Sequence, residues 1–506
     1  MIERWNLSQA VKMLAWTTLL LQTFTLASAA AVDNNNAFIS CLKADGSNSS
    51  VVLTPSSATY DVSATANWNT RIRYDPAAIV YPKATSDVQK YVRCGAKFNI
   101  PVVGRSGGHS YALFGVGGQD GSLVIDVSNM TSFSINASGS AKFQTGNKLG
   151  DIAQKLWDNG KRALPHGTCP YVGSGGHTAF GGFGPYSRVA GLLHDRVTSA
   201  QVVLADGTLT TASATKNKDL FWALRGAGAS YGIVTEWTFA TLPAPPVVIS
   251  YKVDYTAIAL SPMQVRDLME KWQQIALGAP DEMSVICTIG KLWLNNGTSI
   301  FLEYRGTYYG TKDRFDSITA NWKSILSPGN FTSVVNDWYG GLVAISGPLA
   351  VNGTEMQVPM FAKSWFAKKP VTTAQWTSLF EYLGTDGLAF DGYWYIETDR
   401  YGGGVAKQPA DATAFAHRDA MMGFQLVSLS LPGPFPPDGI PFLDGALHAL
   451  EPNPKAAYVN YVDPTLTPAQ WKQQYYGSHY KRLSSIKRAV DPHNVFRFPQ
   501  SISLSS

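Results

Sequence analysis

Gly104-Arg105-Ser106-Gly107-Gly108-His109-Ser110-Tyr111 and, about sixty residues on, His166-Gly167-Thr168-Cys169-Pro170 decide how this chain is read. Each is a glycine-rich turn directly after a predicted strand, and more glycine follows the second: Gly173-Ser174-Gly175-Gly176, then Gly181-Gly182-Phe183-Gly184. Glycine lets backbone N–H groups approach a bulky anionic ligand closely, at a cost in chain entropy. An imidazole and a thiol held at such loops can serve as covalent anchors. Taken singly, His109 reads first as a turn histidine and Cys169 as a buried cysteine. Together, in these contexts, they point to a tethered cofactor.

Working outward, residues Tyr74 to about Leu242 alternate short helices and strands. Thr85 to Phe98 has apolar residues at helical spacing (Val88, Tyr91, Val92, Ala96), with Ser86-Asp87 suited to capping. Strands are predicted over Ile100–Val103, Ser122–Val127 and Tyr231–Phe239, with helices over Leu149–Trp157 and Asp219–Leu224. Gln201 to Leu209 reads as two strands around the Asp206-Gly207 turn. Leu242-Pro243-Ala244-Pro245-Pro246 is a stiff junction. Beyond it, helices (Val265–Gln274, Thr373–Leu383) alternate with long β-like runs (Ser299–Tyr308, Tyr393–Thr398, Phe424–Leu431), which predicts an antiparallel sheet backed by helices. This is α+β order, not the regular alternation of a doubly wound sheet.

The whole chain bounds the answer further. Its 506 residues leave room for two or three domains, and 45% apolar with 15% charged residues fits a folded protein. Arg4 and Lys12 precede an apolar stretch, Met13–Leu26, and Ala27-Ser28-Ala29 offers a small-residue cleavage site. That stretch is shorter than the ~20 residues needed to span a bilayer, so residues 1–29 read as a signal peptide. Its removal lowers the formal net charge only from +5 to +4. No basic cluster with interleaved aromatics suggests nucleic-acid binding, and no dinucleotide or Walker fingerprint is present. Six Asn-x-Ser/Thr acceptors, at Asn48, Asn129, Asn136, Asn296, Asn330 and Asn352, fit a secretory route, as do four cysteines. His166 and His177 flank Cys169 without a second thiol or an H-x-x-x-H pair, so no metal site is expected.

The two loops carry a resemblance. From about Asp75 to Ile502 the chain is similar to the FAD-linked oxidases of the berberine-bridge-enzyme type, within the vanillyl-alcohol-oxidase group, and is most like the fungal carbohydrate oxidases. The resemblance implies a two-part FAD-binding domain of the PCMH type and a substrate domain. The expected divisions are residues 30–244 (core about 74–244), 245–444, and a C-terminal segment, 445–506, that returns to the first domain. By carry-over, FAD is held covalently through His109 to the 8α carbon and through Cys169 to C6. Arg105, Ser106, Gly107, Gly108, Ser110, Gly173, Gly175, Gly176, His177, Gly232 and Val234 are the further expected cofactor contacts. The resemblance also implies a disulfide between Cys41 and Cys94, with Cys287 left as a buried strand thiol; sequence alone allows other pairings.

Oxidising an alcohol through a flavin requires a base within reach of the hydroxyl that loses its proton. In Ala457-Tyr458-Val459-Asn460-Tyr461-Val462-Asp463, Tyr461 matches the family's catalytic tyrosine. A phenol ionises near pH ~10 unaided, and Asp399, in Ile396-Glu397-Thr398-Asp399, matches its carboxylate partner. Unaided by the resemblance, Tyr461 reads as an amphipathic core tyrosine and Asp399 as a strand-end cap. Residues two apart on a strand share a face, so Glu397 joins Asp399; Gln425, Tyr111 and Thr168 complete the implied substrate wall. Glu397 stands where oligosaccharide oxidases commonly have glutamine, which trades a donor for an acceptor, and Gly184-Pro185-Tyr186-Ser187-Arg188 also departs from their loop. Arg400 adds a charge beside the site. Ala416-His417-Arg418-Asp419 reads either as a support for the sheet near the substrate or as a solvated charge cluster. Of the aromatics Trp365, Phe366, Trp376, Phe380, Tyr382 and Tyr393, some can stack on sugar rings, and most read as core. Val172 matches a position where a small aliphatic leaves the flavin open to oxygen.

The resulting expectation is a secreted, monomeric oxidase that converts the anomeric C1 hydroxyl of a mono- or oligosaccharide to the lactone and reduces oxygen to hydrogen peroxide. Its partners would be a carbohydrate and molecular oxygen, with no nucleic acid and no membrane. Two alternatives stand beside it: a tailoring oxidase of secondary metabolism acting on a non-sugar alcohol, and a flavin-binding protein without significant turnover.

Overall fold

The computed structural model describes residues 34–44, 52–294, 297–352, 355–431 and 433–505. The expected signal peptide and the sequons' Asn48 and Asn296 lie outside them. The order is α+β, as expected, and four sheets carry it among the described residues.

The first sheet contains the parallel strands Ala78–Val80, Leu123–Asp126 and Val102–Arg105, with Val52–Leu53 antiparallel at one edge. Ala78–Val80 and Leu123–Asp126 are buried throughout, which is why they read as short apolar runs. The helix Thr85–Lys97 covers them through Val88, Tyr91 and Val92. Its cap differs from the expected one: Ala84 is the N-cap residue, and Asp87 reaches back to accept from the N–H groups of Lys83 and Ala84. A disulfide joins Cys94 on that helix to Cys41 on the helix over residues 34–43.

The second sheet is antiparallel, in the order Phe133–Ile135, Ser140–Gln144, Ile233–Ala240, Val197–Val203, Leu209–Ser213. Its last two strands form the expected Asp206-Gly207 hairpin. Leu242 and Pro243 at the proline-rich junction pair with Ala163 and Arg162. The C-terminal residues Trp471, Tyr475, Tyr476, Leu483 and Ile502 share one core with Phe143, Trp237 and Phe239 of this sheet. The chain end therefore packs on the sheet built some 250 residues earlier, and the Tyr231 hydroxyl donates to the Leu483 carbonyl at 2.8 Å across that join.

The largest sheet has seven antiparallel strands: Asn330–Asn336, Val248–Asp254, Gly297–Tyr308, Ile286–Leu294, Tyr393–Arg400, Met422–Leu429 and Met360–Ala367. Helices Pro262–Gly278, Thr373–Tyr382 and Gly439–Leu450 cover one face through Trp272, Trp376, Phe380 and Phe442. Helix Pro262–Gly278 runs further than its apolar spacing indicated, because Ser261 caps it and Pro262 opens it. Trp365, Phe366, Trp376 and Phe380 are core, as their composition suggested, and Cys287 is fully buried. The opposite face of this sheet turns toward the two glycine loops.

Candidate active site

The loops after Val102–Arg105 and around Cys169 touch through their backbones. A Cβ on Gly107 would lie 2.3 Å from the Gly173 nitrogen, and one on Gly173 would lie 2.1 Å from the Gly107 nitrogen. No side chain fits at either position, so the glycines are required by contact. Ser106 locks the join: its hydroxyl donates to the Thr145 carbonyl at 2.6 Å and accepts from the Gly175 N–H at 3.3 Å. The His177 Nε2 accepts the Gly167 N–H at 2.9 Å, so its proton sits on Nδ1. Burial holds this imidazole neutral, its pKa pushed down to about 3.

These loops wall one side of a cavity of about 630 Å³. Every residue expected to contact cofactor or substrate lines it except Asp399: Arg105 to Tyr111, Thr168, Cys169, Val172, Gly173, Gly175, Gly176, His177, Gly232, Val234, Glu397, Gln425 and Tyr461. Two of them also make contacts within the protein. The Arg105 guanidinium is turned to Asp126 (2.5 Å), the Ser63 carbonyl and the Tyr81 hydroxyl, and so braces the loop. The Ser110 hydroxyl accepts the Phe114 N–H and closes the following turn.

The seven-stranded sheet supplies the opposite wall, and its register explains which side chains meet. Glu303, Thr288, Glu397, Gln425 and Ser364 lie in one row across five strands. One row on, Arg305, Ile286, Asp399 and Gly423 are paired in turn. Arg305, absent from the expected site residues, donates to Glu397 Oε2 at 2.6 Å. Glu303 and Arg305 stand at alternating positions of one strand, the only sign the sequence offered, and their facing partner emerges only from the register. Gln425 Nε2 donates to the Tyr111 hydroxyl at 2.6 Å, tying this wall to the first loop.

Asp399 is buried behind Glu397, and its carboxyl pKa is pushed well above the usual range by burial first, then by the Glu397 charge, with Arg305 opposing. Tyr461, in the turn Val459–Tyr461, lies parallel to Tyr111 with ring centroids 5.9 Å apart. Burial raises its phenol well above the ordinary value, and the Asp399 charge adds to that. The backbone geometry thus gathers Tyr111, Tyr461, Glu397, Asp399 and Gln425 from four separate parts of the chain. Tyr393 and Tyr395 extend the same wall.

Two expectations are corrected. Arg400 faces away from the cavity, donating to the carbonyls of Ala276 (3.1 Å) and Met421 (2.7 Å). The His417-Arg418 pair is not a solvated cluster: both residues are buried, and Arg418 forks onto both oxygens of Asp195 at 2.7 Å. His166, for which no metal role with His177 was expected, donates from Nδ1 to the neighbouring Gly167 carbonyl at 2.8 Å.

Sequence reasoning also missed Glu355. One of its oxygens meets His109 Nε2 at 2.7 Å and the other accepts the Cys169 S–H at 3.5 Å. The two proposed anchor side chains therefore converge on one spot at the cavity wall. The fit to a large planar ligand is direct: two glycine loops in backbone contact leave an open slot, and both nucleophilic side chains reach its edge. The same three donors lie within 4.8 Å of one another, a spacing that also suits a metal ion.

Comparison with known proteins agrees with this geometry. Residues 76–213 match the model of an FAD binding domain, and residues 457–503 match the model described as berberine and berberine like. The xylooligosaccharide oxidase of Thermothelomyces thermophilus is 35% identical over 91% of this chain and 93% of its own. An FAD-linked oxidoreductase of Metarhizium anisopliae, dpmaF, is 32% identical over 94% and 92%. Among solved structures, glucooligosaccharide oxidase from Acremonium strictum, with its 6-S-cysteinyl, 8α-N1-histidyl FAD, superposes with a TM-score of 0.83. That pair is 30% identical and covers 92% of this chain and 99% of the other.

Proposed function

Because the chain belongs to the berberine-bridge-like family of FAD-linked oxidases, we propose that it oxidises the anomeric C1 hydroxyl of a mono- or oligosaccharide to the lactone. It is an FAD-dependent oxidoreductase, and on this reading His109 and Cys169 are the attachment points of the cofactor. Residues 30–244 and 445–506 then form the cofactor half, and 245–444 the substrate half.

The observation that carries the reading is the polar row Glu397–Gln425 facing the parallel tyrosines Tyr111 and Tyr461 across one cavity. Adjacent hydrogen-bonding groups on a flat strand wall, with aromatic rings beside them, suit a ring bearing several hydroxyls. Thr168, Tyr111, Glu397 and Gln425 would hold those hydroxyls, and Tyr393 and Tyr395 offer faces on which further rings can stack. Arg305 donates to Glu397 and fixes that carboxylate, which accepts hydrogen bonds where an amide would also donate.

Tyr461 takes the proton of the reacting hydroxyl. For that its own proton must leave, and Asp399, whose affinity for a proton is raised by burial and by Glu397, is the acceptor at hand. When bound through His109 and Cys169, FAD would supply the two-electron acceptor for the hydrogen on C1, with oxygen as the final oxidant and hydrogen peroxide as its product. Val172 lines the cavity three residues from Cys169 and leaves no bulky side chain there to hinder oxygen.

Secretion is supported by the Cys41–Cys94 disulfide and by the exposed sequon asparagines Asn129, Asn136 and Asn330. Among the described residues no helix is long and apolar enough to cross a membrane. The test is oxygen uptake with a panel of mono- and oligosaccharides, with the product identified as lactone or aldonate. Turnover confined to non-sugar alcohols would favour the second reading, a tailoring oxidase, for which the likeness to an FAD-linked oxidoreductase stands.

A further inference from the structure

The Glu355 carboxylate reaches His109 and Cys169 across 246 and 186 residues of chain, so its place between them is set by tertiary structure. Two contacts hold it there. The Val358 N–H donates to the Trp68 carbonyl at 3.0 Å, and the Gln357 side chain donates to the Asn67 carbonyl at 2.8 Å. Trp68 in turn stacks on the His109 imidazole, 5.5 Å between centroids and 12° between planes, while its N–H donates to the Gly108 carbonyl at 3.1 Å. Carboxylate and imidazole are thus docked on the same short segment.

A carboxylate can only accept, so the imidazole that faces it must carry its proton on Nε2. Nδ1 is left as a bare lone pair. The Cys169 S–H likewise points at the other carboxylate oxygen. We propose that Glu355 governs the covalent attachment of FAD: it fixes the His109 tautomer so that Nδ1 forms the link, and it accepts the protons that His109 and Cys169 lose. The inference rests on His109 and Cys169 being the attachment points. At the 8α carbon an Nδ1–C bond forms and one C–H bond breaks, and the Nε2 proton of the resulting imidazolium passes to Glu355. At C6 an Sγ–C bond forms while the S–H and C6–H bonds break, the thiol proton going to the same carboxylate. Each link releases two electrons and two protons in all, and molecular oxygen takes them as hydrogen peroxide. Help is needed most at the thiol, since burial and the Glu355 charge push its pKa up to about 11.

The experiment compares the wild-type chain with Glu355→Gln and Glu355→Asp. Each is denatured and washed, and its mass, flavin fluorescence and linked peptides are read out. Wild type is expected to carry both links, the histidyl one through Nδ1. Glu355→Gln is expected to bind FAD that acid releases, with attachment slowed on the order of a hundred-fold and any residual histidyl link shifted toward Nε2. High pH should restore the thioether selectively in that variant, because the thiolate then forms unaided, and Glu355→Asp should restore part of both links. Attachment in Glu355→Gln at the wild-type rate and on the same nitrogen would overturn the role of Glu355 alone. If that variant does not fold, Glu355→Asp with the wild-type rate and pH profile would overturn it equally. Wild-type chain free of covalent flavin, or holding stoichiometric zinc in its place, would overturn the anchor assignment itself.

Discussion

At the scale of single residues, the site is a set of carboxyl and phenol groups whose protons are redistributed by burial. Tyr461 is the clearest test of its part. Removing the hydroxyl in Tyr461→Phe should lower kcat by on the order of a hundred- to ten-thousand-fold with the cofactor still attached, measured by oxygen uptake. Asp399 must be ionised to accept a proton, so kcat/KM should rise with pH through its elevated pKa. Glu397→Gln removes a charge that pushes that value up, so the acid limb of the pH profile should move to lower pH. Arg305→Met removes a charge that opposes it, and the limb should move the other way. The same burial makes Asp399 costly to the fold. Its folded-state pKa lies above the unfolded one, so its favourable contribution is complete below the ordinary carboxylate range and is lost as pH rises through the folded value. Asp399→Asn should therefore raise the melting temperature at neutral pH while abolishing most activity, and the gain should vanish in acid.

Elements explain which of these groups the sequence could reveal. His109 and Cys169 were legible because glycine-rich loops after strands are local patterns, written in neighbouring residues. The pairing of Glu397 with Asp399 was legible from strand alternation alone. Arg305 and Glu355 were not, because what places them is register and docking: a strand opposite Glu397 in one case, and the Trp68 segment in the other. The strand Met360–Ala367 was missed for a different reason. All eight of its residues are buried, so it shows no alternation, and its aromatics looked like core without a secondary structure. Arg400 was placed in the site by proximity along the strand, yet strand period puts it on the face opposite Glu397 and Asp399. The Cys41–Cys94 link spans 53 residues and fastens the helix over residues 34–43 to the first sheet's helix. On the chain-entropy account its removal in a Cys41→Ala, Cys94→Ala double variant should cost about 4 kcal/mol, read from chemical denaturation.

At the scale of the molecule, the cavity exists only where the glycine loops and the seven-stranded sheet face each other. Arg188 fastens one to the other. Fully buried, it donates to the carbonyls of Met283 (2.8 Å), Tyr401 (2.5 Å) and Ala279 (3.0 Å), all on or beside the large sheet. It belongs to the Gly184–Arg188 loop, which departs from the family's usual sequence. Arg188→Ala would remove the donor from the carbonyls of Met283, Tyr401, Ala279 and Pro280, and about 3–5 kcal/mol of stability should be lost. The substrate wall should also loosen, raising KM while the cofactor stays attached, because neither anchor loop depends on that guanidinium. Tyr111 and Gln425 make the second tie, between two walls of the cavity. The cavity is therefore a property of the interface, with the glycine loops and the polar strand row contributed from opposite sides.

The central claim is that two side chains from two loops clamp one flavin. The measurement that bears on it most directly is the absorbance and intact mass of washed, denatured chain from wild type, His109→Ala, Cys169→Ala and the double variant. Wild type and each single variant should stay yellow and carry the added mass of FAD, and only the double variant should be colourless. A colourless wild type, or a double variant that keeps its colour and mass, would contradict it.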